Sequence, residues 1–350
     1  MPASLPAPDL GLTWRPIGLD DVDAWWVLEH AIEEADGANE RFDRDDLVEE
    51  LTQGDHKNPA RDSLIGLDAG GTPRAFSLNN LLPGSTLRRA YLWGGVDPHW
   101  RGRGVGTALL GWQRDQARHA LAVAEPAVGP PLPWRLLVSY PERLSANHAV
   151  VLAAGFTPVR WFHDMLREVT TPDAPPVPDV AVPQPLRVVP LTQDLDEAVR
   201  LAHNEAFAGH WGSQPRDADA WQLWTVAHRT FRRDWSFAVV DPRMISAEGV
   251  PEVVAYTTSH AYPQDWQAQG YTQGWTALLG VRPRSRGQGL APALLAAALR
   301  AFARDGMDKA GLDVDTGNAS GALRLYERMG YTVEHTSVTC TIDAEGAARP

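Results

Sequence analysis

The chain repeats itself. The stretch from Val96 to Leu110 (VDPHWRGRGVGTALL) aligns without a gap on that from Val281 to Leu295 (VRPRSRGQGLAPALL), with eight of fifteen positions identical. The starts correspond too: Trp14-Arg-Pro-Ile17 and Val188-Val-Pro-Leu191 each precede an acidic helix start, at Asp20 and Asp194. So do the ends, with Ala154-Gly-Phe156 matching Met329-Gly-Tyr331. Each copy is far longer than a solenoid unit, so the pattern reads as duplication of a whole domain. Between the copies, residues 171–185 are rich in proline, which suits an extended linker and neither a helix nor a central strand. The expected division is a first domain over 10–170, a linker over 171–185 and a second domain over 186–345.

Hydrophobic periodicity in the second half predicts strands over 186–191, 237–240, 253–260, 274–281, 310–314 and 332–342. It predicts helices over 194–207, 218–231, 290–302 and 321–329. The first half gives the same order, interrupted by a Pro-rich insertion over 126–133. The expected class is α+β: two tandem domains, each a mixed central sheet flanked by helices.

Composition narrows the partners. A net charge of −12 repels phosphate backbones, so nucleic acid is not an expected partner. The single cysteine, Cys340, excludes an intrachain disulfide and a Cys-rich zinc cluster, and no metal is expected. The start of the chain lacks the basic and apolar regions of a signal peptide, and the Ala-rich helix over 290–302 is too short to span a bilayer. A cytoplasmic protein with no membrane partner is expected; nothing sets its oligomeric state.

Each repeat centres on a strand, a glycine-rich turn and a helix. The turns are Arg101-Gly102-Arg103-Gly104-Val105-Gly106 and Arg286-Gly287-Gln288-Gly289-Leu290-Ala291. The first turn of a helix offers free N–H groups and a partial positive charge, and glycines let a bulky anion approach them. The arrangement suits a pyrophosphate. A P-loop would need Gly-Lys-Ser/Thr, which is missing, and the dinucleotide fingerprint needs a different glycine spacing.

Arg-x-x-Gly-x-Gly/Ala, after Val-x-Pro and before an Ala/Leu helix, resembles the acyl-CoA motif of the GNAT superfamily of N-acetyltransferases. The resemblance covers both halves. It implies acetyl-CoA as cosubstrate, held by Leu279, Val281 and the turn 286–291 in the second half, and by Val96 and the turn 101–106 in the first. Residues 312–331 are similar to the GNAT strand and helix that follow this site. There the resemblance makes Tyr326 the general acid that protonates the departing thiolate, and Asn318 a contact to the pantetheine arm. It also places an oxyanion-stabilising N–H in the strand over 278–281, splayed from its neighbour. In the first half Val151 stands opposite Tyr326, and a valine cannot protonate a thiolate. The first domain is therefore expected to be non-catalytic and the second catalytic. The tandem layout, and loosely residues 204–210, resemble the mycothiol synthase group of that superfamily.

Many GNAT enzymes carry a glutamate base on the fourth strand, but residues 274–279 contain no acid. His260, at its ordinary pKa, is the first candidate; Asp313, Asp315 and Glu205 are others. His210, Trp211, Trp221, Trp224, Trp266 and Trp275 fall where that fold borders its acceptor cleft, so an aromatic-lined pocket is open as a reading. So is an acidic lip over 33–50, where nine acids accompany two arginines, beside the plainer reading of a solvated helical face. The expected partner is a small molecule with a primary amine. A non-catalytic acyl-CoA sensor and a peptide-directed acetyltransferase are the alternatives.

Overall fold

The structure is a computed structural model. It describes the chain apart from residues 1–2, 55–56, 83, 85, 124–131, 248, 319–320, 345–350 and the side chain of Pro8. Most of the Pro-rich insertion over 126–133 thus lies outside the described residues. The chain forms two compact units, one from Met1–Arg160 with Ser337–Pro350, the other from Trp161–Thr336.

The first unit begins with β1 (Thr13–Arg15), α1 (Val22–Asp36), α2 (Arg44–Thr52) and the short α3 (Pro59–Asp62). The antiparallel strands β2 (Ser63–Leu67), β3 (Pro73–Leu82) and β4 (Arg88–Val96) follow. Next come α4 (Val105–Val123), β5 (Trp134–Pro141) and α5 (Ser145–Ala153). β6 (Thr157–Glu168) leads into the second unit, which continues with β7 (Arg187–Pro190), α6 (Asp196–Ala206) and α7 (Ala218–Trp221). After these come β8 (Phe237–Ile245), β9 (Pro251–His260), α8 (Pro263–Gln269), β10 (Gln273–Val281) and α9 (Leu290–Arg304). β11 (Lys309–Asp315), α10 (Ala322–Arg328) and β12 (Thr332–Asp343) end the order.

The repeat is visible in the sheets. In the first unit β1 to β5 are neighbours in sequence order, with β4 and β5 parallel. In the second, β7 to β11 run likewise, with β10 and β11 parallel. The closing strands break chain order. The first unit's β5 pairs antiparallel with residues 337–343 of β12, and the second unit's β11 pairs antiparallel with residues 162–168 of β6. A division into 10–170 and 186–345 follows chain order; the contacts instead assign each closing strand to the unit whose sheet it completes.

Residues 171–185 are irregular and extended, yet they belong to the second unit. Arg167 Nη2 donates to the carbonyls of Pro175 (2.7 Å) and Pro176 (3.1 Å), and Arg300 Nη2 donates to that of Pro178 (3.0 Å). Val177 and Val182 pack on the core. The segment is strapped to its unit rather than free.

The helix expected over 218–231 is cut short. Asp217 caps α7 by accepting from Ala220 N (2.8 Å), but Gln222–Val226 is a π-turn. Thr230 Oγ1 then hydrogen-bonds His228 Nδ1 (2.8 Å), and such local bonds compete with a helix. α9 forms as expected: Leu294, Leu295, Leu299 and Phe302 are fully buried, each worth roughly 1.5–3 kcal/mol. This helix fixes the glycine turn before it against the sheet.

Candidate active site

The second unit's sheet forks. β10 and β11 pair only from Gln273↔Lys309 to Thr276↔Leu312, whereas β11 continues to Asp315 against β6. Residues 278–281 stay on β9, after a bulge between Thr276 and Leu278. A bulge leaves its extra residue, here Ala277, out of the ladder and re-aims the residues after it. Beyond it, Arg282 N donates to the Val254 carbonyl (2.9 Å). Antiparallel alternation then turns Leu278 and Gly280 toward β9, and the main-chain groups of Leu279 and Val281 toward the side that β11 has left. Those two residues are the ones expected to hold the cosubstrate, and their orientation fits a ligand that adds to the strand.

The glycine turn lies just beyond. Gly287 and Gly289 have φ of 77° and 76°, the left-handed region that a side chain resists, and nothing lies within 4 Å of where a Cβ would stand. Gly289 caps α9 without a side-chain hydrogen bond. The N–H groups of Leu290 and Ala291 are therefore left for an anion, while Pro292 has none. The Leu290 side chain is buried in the core, so only its main chain faces a ligand. Gln288 is exposed. Arg286 bonds only to carbonyls, Val281 O (3.4 Å) and Ala206 O (3.0 Å), and no described carboxylate pairs with it. Open space, free donors and an unneutralised guanidinium fit a pyrophosphate.

Tyr326, on α10, packs edge-on to Tyr331 with centroids 6.2 Å apart and is 9% exposed. Its hydroxyl has no hydrogen bond within the described residues. Burial, then the Asp313 carboxylate, raises its pKa, so the proton is retained at neutral pH. Asp313 is the first β11 residue past the last β10 pair; it is exposed, while Leu312, Val314 and Asp315 around it are buried. Desolvation by the protein packed around it raises its carboxyl; its own backbone N–H and then His210 oppose this, and Asp315 adds to it. Asn318 comes next in the turn, its N–H on the Asp315 carbonyl (3.1 Å).

The other expected residues divide. His260 is 6% exposed, bonded through Nδ1 to Thr230 Oγ1 (2.7 Å) and stacked on Tyr262. Burial, then His228, pushes its pKa down to about 4. The expectation of an ordinary histidine pKa is therefore corrected. Glu205 is ion-paired with the buried Arg282, and Asp315 accepts from Gly317 N (2.8 Å). Trp221 is core, packed against His203 and Tyr256. His210 and Trp211 do reach β11's far end, where Trp211 tilts against Phe162, the register partner of Asp315. Trp275 packs over Gly311, on the strand face that also carries Asp313. Trp266 is partly buried against the core, and Trp224 is 37% exposed. Among the described residues no three His, Cys, Asp or Glu side chains are grouped to hold a metal, and no helix is long and apolar enough to cross a membrane.

The first unit keeps the frame but differs in its local detail. β4 and β5 pair only from Arg88↔Trp134 to Tyr91↔Leu137, so the fork is there, with the Val96 carbonyl taken by Arg101 Nε (3.2 Å). Gly102 and Gly104 have φ of 74° and 82° ahead of Val105, which is buried, and Gly106. But β4 pairs with β3 in continuous register, without a bulge. Arg101 is clasped by Asp36 (2.6 and 3.0 Å), and Arg103 folds over Trp100 (4.6 Å). Val151 is buried in the core. The acids over 33–50 are largely structural: Glu33 accepts from Phe42 N (2.8 Å), Asp43 caps α2, and Glu50 binds Lys57 (3.0 Å).

Residues 197–331 match the Acetyltransferase (GNAT) family. The chain is 30% identical over 241 residues to the mycothiol acetyltransferase of Thermobispora bispora, covering 68% of this chain and 70% of that protein. Its fold is similar to that of a GCN5-related N-acetyltransferase from Sphaerobacter thermophilus (TM-score 0.71, 23% identity, 97% of both chains). It is also similar to a tandem GNAT protein from the clavulanic acid biosynthesis pathway (TM-score 0.62, 18% identity, 95% of this chain and 98% of that one). The duplicated fork and glycine turn thus have a family: the chain belongs to the GNAT acetyltransferases, as a tandem-domain N-acetyltransferase with an acyl-CoA cosubstrate.

Proposed function

We propose that this protein transfers the acetyl group of acetyl-CoA to the primary amine of a small molecule, with the chemistry confined to the second unit. The contrast between the two forks carries the reading. Both offer a glycine turn and an unpaired strand edge, but only the second combines the Ala277 bulge with a tyrosine hydroxyl free to meet a ligand. We assign residues 10–170 a non-catalytic role, with Val96 and residues 101–106 able to bind CoA, and residues 186–345 the catalytic one. A cytoplasmic location belongs to the same reading, since the cosubstrate is intracellular and the one cysteine, Cys340, is a free thiol.

In the second unit the turn 286–291 would hold the pyrophosphate and the edges of Leu279 and Val281 the pantetheine arm, with Asn318 beside it. The cosubstrate supplies an activated thioester. The chain's own groups do the rest. A main-chain N–H past the bulge stabilises the oxyanion as the amine nitrogen bonds to the carbonyl carbon. The C–S bond then breaks, and the Tyr326 hydroxyl gives its proton to sulfur as charge builds there. Among acceptors, a mycothiol-type amine comes first, because the Thermobispora bispora relative is a mycothiol acetyltransferase.

The test is incubation with acetyl-CoA and an amine panel: the des-acetyl form of mycothiol, glucosamine and spermidine. Products are read by mass, together with thiol release. One acetylated amine and stoichiometric thiol are expected. Thiol release without an acetylated product, or neither, would refute the reading.

A further inference from the structure

We infer that Asp313 receives the acceptor: its carboxylate binds the incoming ammonium and takes its proton, so the base stands on β11 rather than β10. This rests on the acetyltransferase reading and deepens it.

The argument begins with what β10 lacks. From Gln273 to Val281 it carries no acid, and Trp275 is its large side chain on the face shared with Asp313. Asp313 stands at the crotch of the fork, one residue past the last β10–β11 pair. Its neighbours in sequence are buried and it is not. It is within electrostatic range of Tyr326, so an acceptor of protons and a donor of protons flank the opening where the thioester would lie. The competing groups are engaged elsewhere: His260 with Thr230, Glu205 with Arg282, Asp315 with the turn at Gly317.

The charges facing Asp313 favour a cation. Asp164 lies directly across on β6, Asp315 is on its own strand, His210 comes from the loop after α6, and Tyr326 comes from α10. Asp315 adds to the negative charge at Asp313 and His210 opposes it, and an ammonium is the complementary ligand for the Asp313 carboxylate. Trp275 adds an aromatic wall on the same face. The proton balance closes. The ammonium's first proton passes to Asp313 and on to water. A second leaves nitrogen as the amide forms, and offsets the one that Tyr326 gives to sulfur.

The experiment compares wild type, Asp313→Asn and Asp313→Glu on the acetylated member of the amine panel from pH 6 to 9. Calorimetry with acetyl-CoA serves as the check on folding. Asp313→Asn is expected to bind acetyl-CoA normally and to lose roughly 10²–10⁴-fold in kcat/KM. Its rate should then climb about tenfold per pH unit up to the amine's own pKa, because only amine already free in solution reacts. The Glu variant should restore the wild-type limb in part. Should the Asn variant misfold, Asp313→Ser carries the same expectation. A carboxylate-free variant with wild-type kcat/KM and an unmoved limb overturns the role of Asp313 and leaves the acetyltransferase reading standing. A wild type that acetylates no amine overturns both.

Discussion

Glu29 is a buried acid in the first unit. It is 5% exposed on α1, and its Oε2 has no hydrogen-bond partner. Trp25, Leu28 and Ile32 set the buried face of the helix, and Glu29 sits one turn from Trp25, inside that face. Burial, then the neighbouring Glu33 and Asp36, pushes its carboxyl up to about 8 from the ordinary 4.5. The folded pKa lies above the unfolded one, so the fold holds the proton more tightly. Below pH 4.5 both states are protonated and nothing is lost. Between 4.5 and about 8 the unfolded chain ionises first, and stability falls by about 1.4 kcal/mol per pH unit. The full loss is roughly 5 kcal/mol, of which under about 1 kcal/mol is felt at pH 5. Glu29→Gln removes the titration and keeps the shape. Any cost of burying the amide is independent of pH, so it cancels when two pH values are compared. Relative to wild type, the variant should gain about 3–4 kcal/mol more at pH 8 than at pH 5. For a unit of this size that is a relative rise in Tm of about 10 °C, read by scanning calorimetry. The same offset between variant and wild type at both pH values would refute the buried-carboxyl argument.

The glycine turns, Tyr326 and Val151 each carry a further expected outcome. Gly289→Glu should weaken acetyl-CoA binding at the second site at least tenfold and abolish activity, with Gly289→Ala as the control for backbone strain at φ 76°; calorimetry and turnover read this. Gly104→Glu should remove a first-unit site, if CoA stoichiometry counts two, without touching turnover; lost activity there would break the one-site assignment. Tyr326→Phe should lower kcat by roughly 10²–10⁴-fold at unchanged acetyl-CoA affinity, and a wild-type kcat with chemistry rate-limiting would remove the acid from the mechanism. Val151→Phe should destabilise the first unit by about 1–3 kcal/mol through overpacking, read in the denaturant midpoint, without changing kcat.

Much of this architecture is legible in the residues, for identifiable reasons. Strands of the second half and α9 follow hydrophobic period, and the glycine turns announce themselves because their φ angles exclude other residues. α8 has the marks of a helix, Pro263 at its first position and Gly270 in the left-handed region after it, but it is too short for periodicity to reveal. The closing strands are a different matter. Which strand β6 or β12 pairs with is a long-range choice, and period-two alternation is the same whichever neighbour is chosen. The bulge at Ala277 is equally silent: one residue slips out of register between Thr276 and Leu278, and nothing in the residues there differs from a regular strand. Glu29 is instead a reading that the sequence permitted, since its spacing from Trp25 and Ile32 places it on the apolar face.

That silence explains why His260 stood out in the sequence and Asp313 did not. A histidine at a strand end has the right pKa in isolation, and an aspartate on a strand has the wrong one. Tertiary packing reverses the order. His260 is closed in by Thr230, Tyr262 and Phe231, and burial disfavours its charged form; it is a weak base at about 4. Asp313 is exposed at the fork, yet desolvation by the protein packed near it disfavours its charged form as well, which for a carboxyl means a stronger base. The same desolvation acts with opposite sign on the two groups. Under the proposed reading, the divergence of β10 from β11 after Thr276 is what opens Asp313 to a substrate. In the first unit the fork also opens, but Val138 stands after the last pair where Asp313 does in the second, and Val151 replaces Tyr326. Under the proposed reading, the same copy lacks both the base position and the acid position, as expected of a site that binds without chemistry.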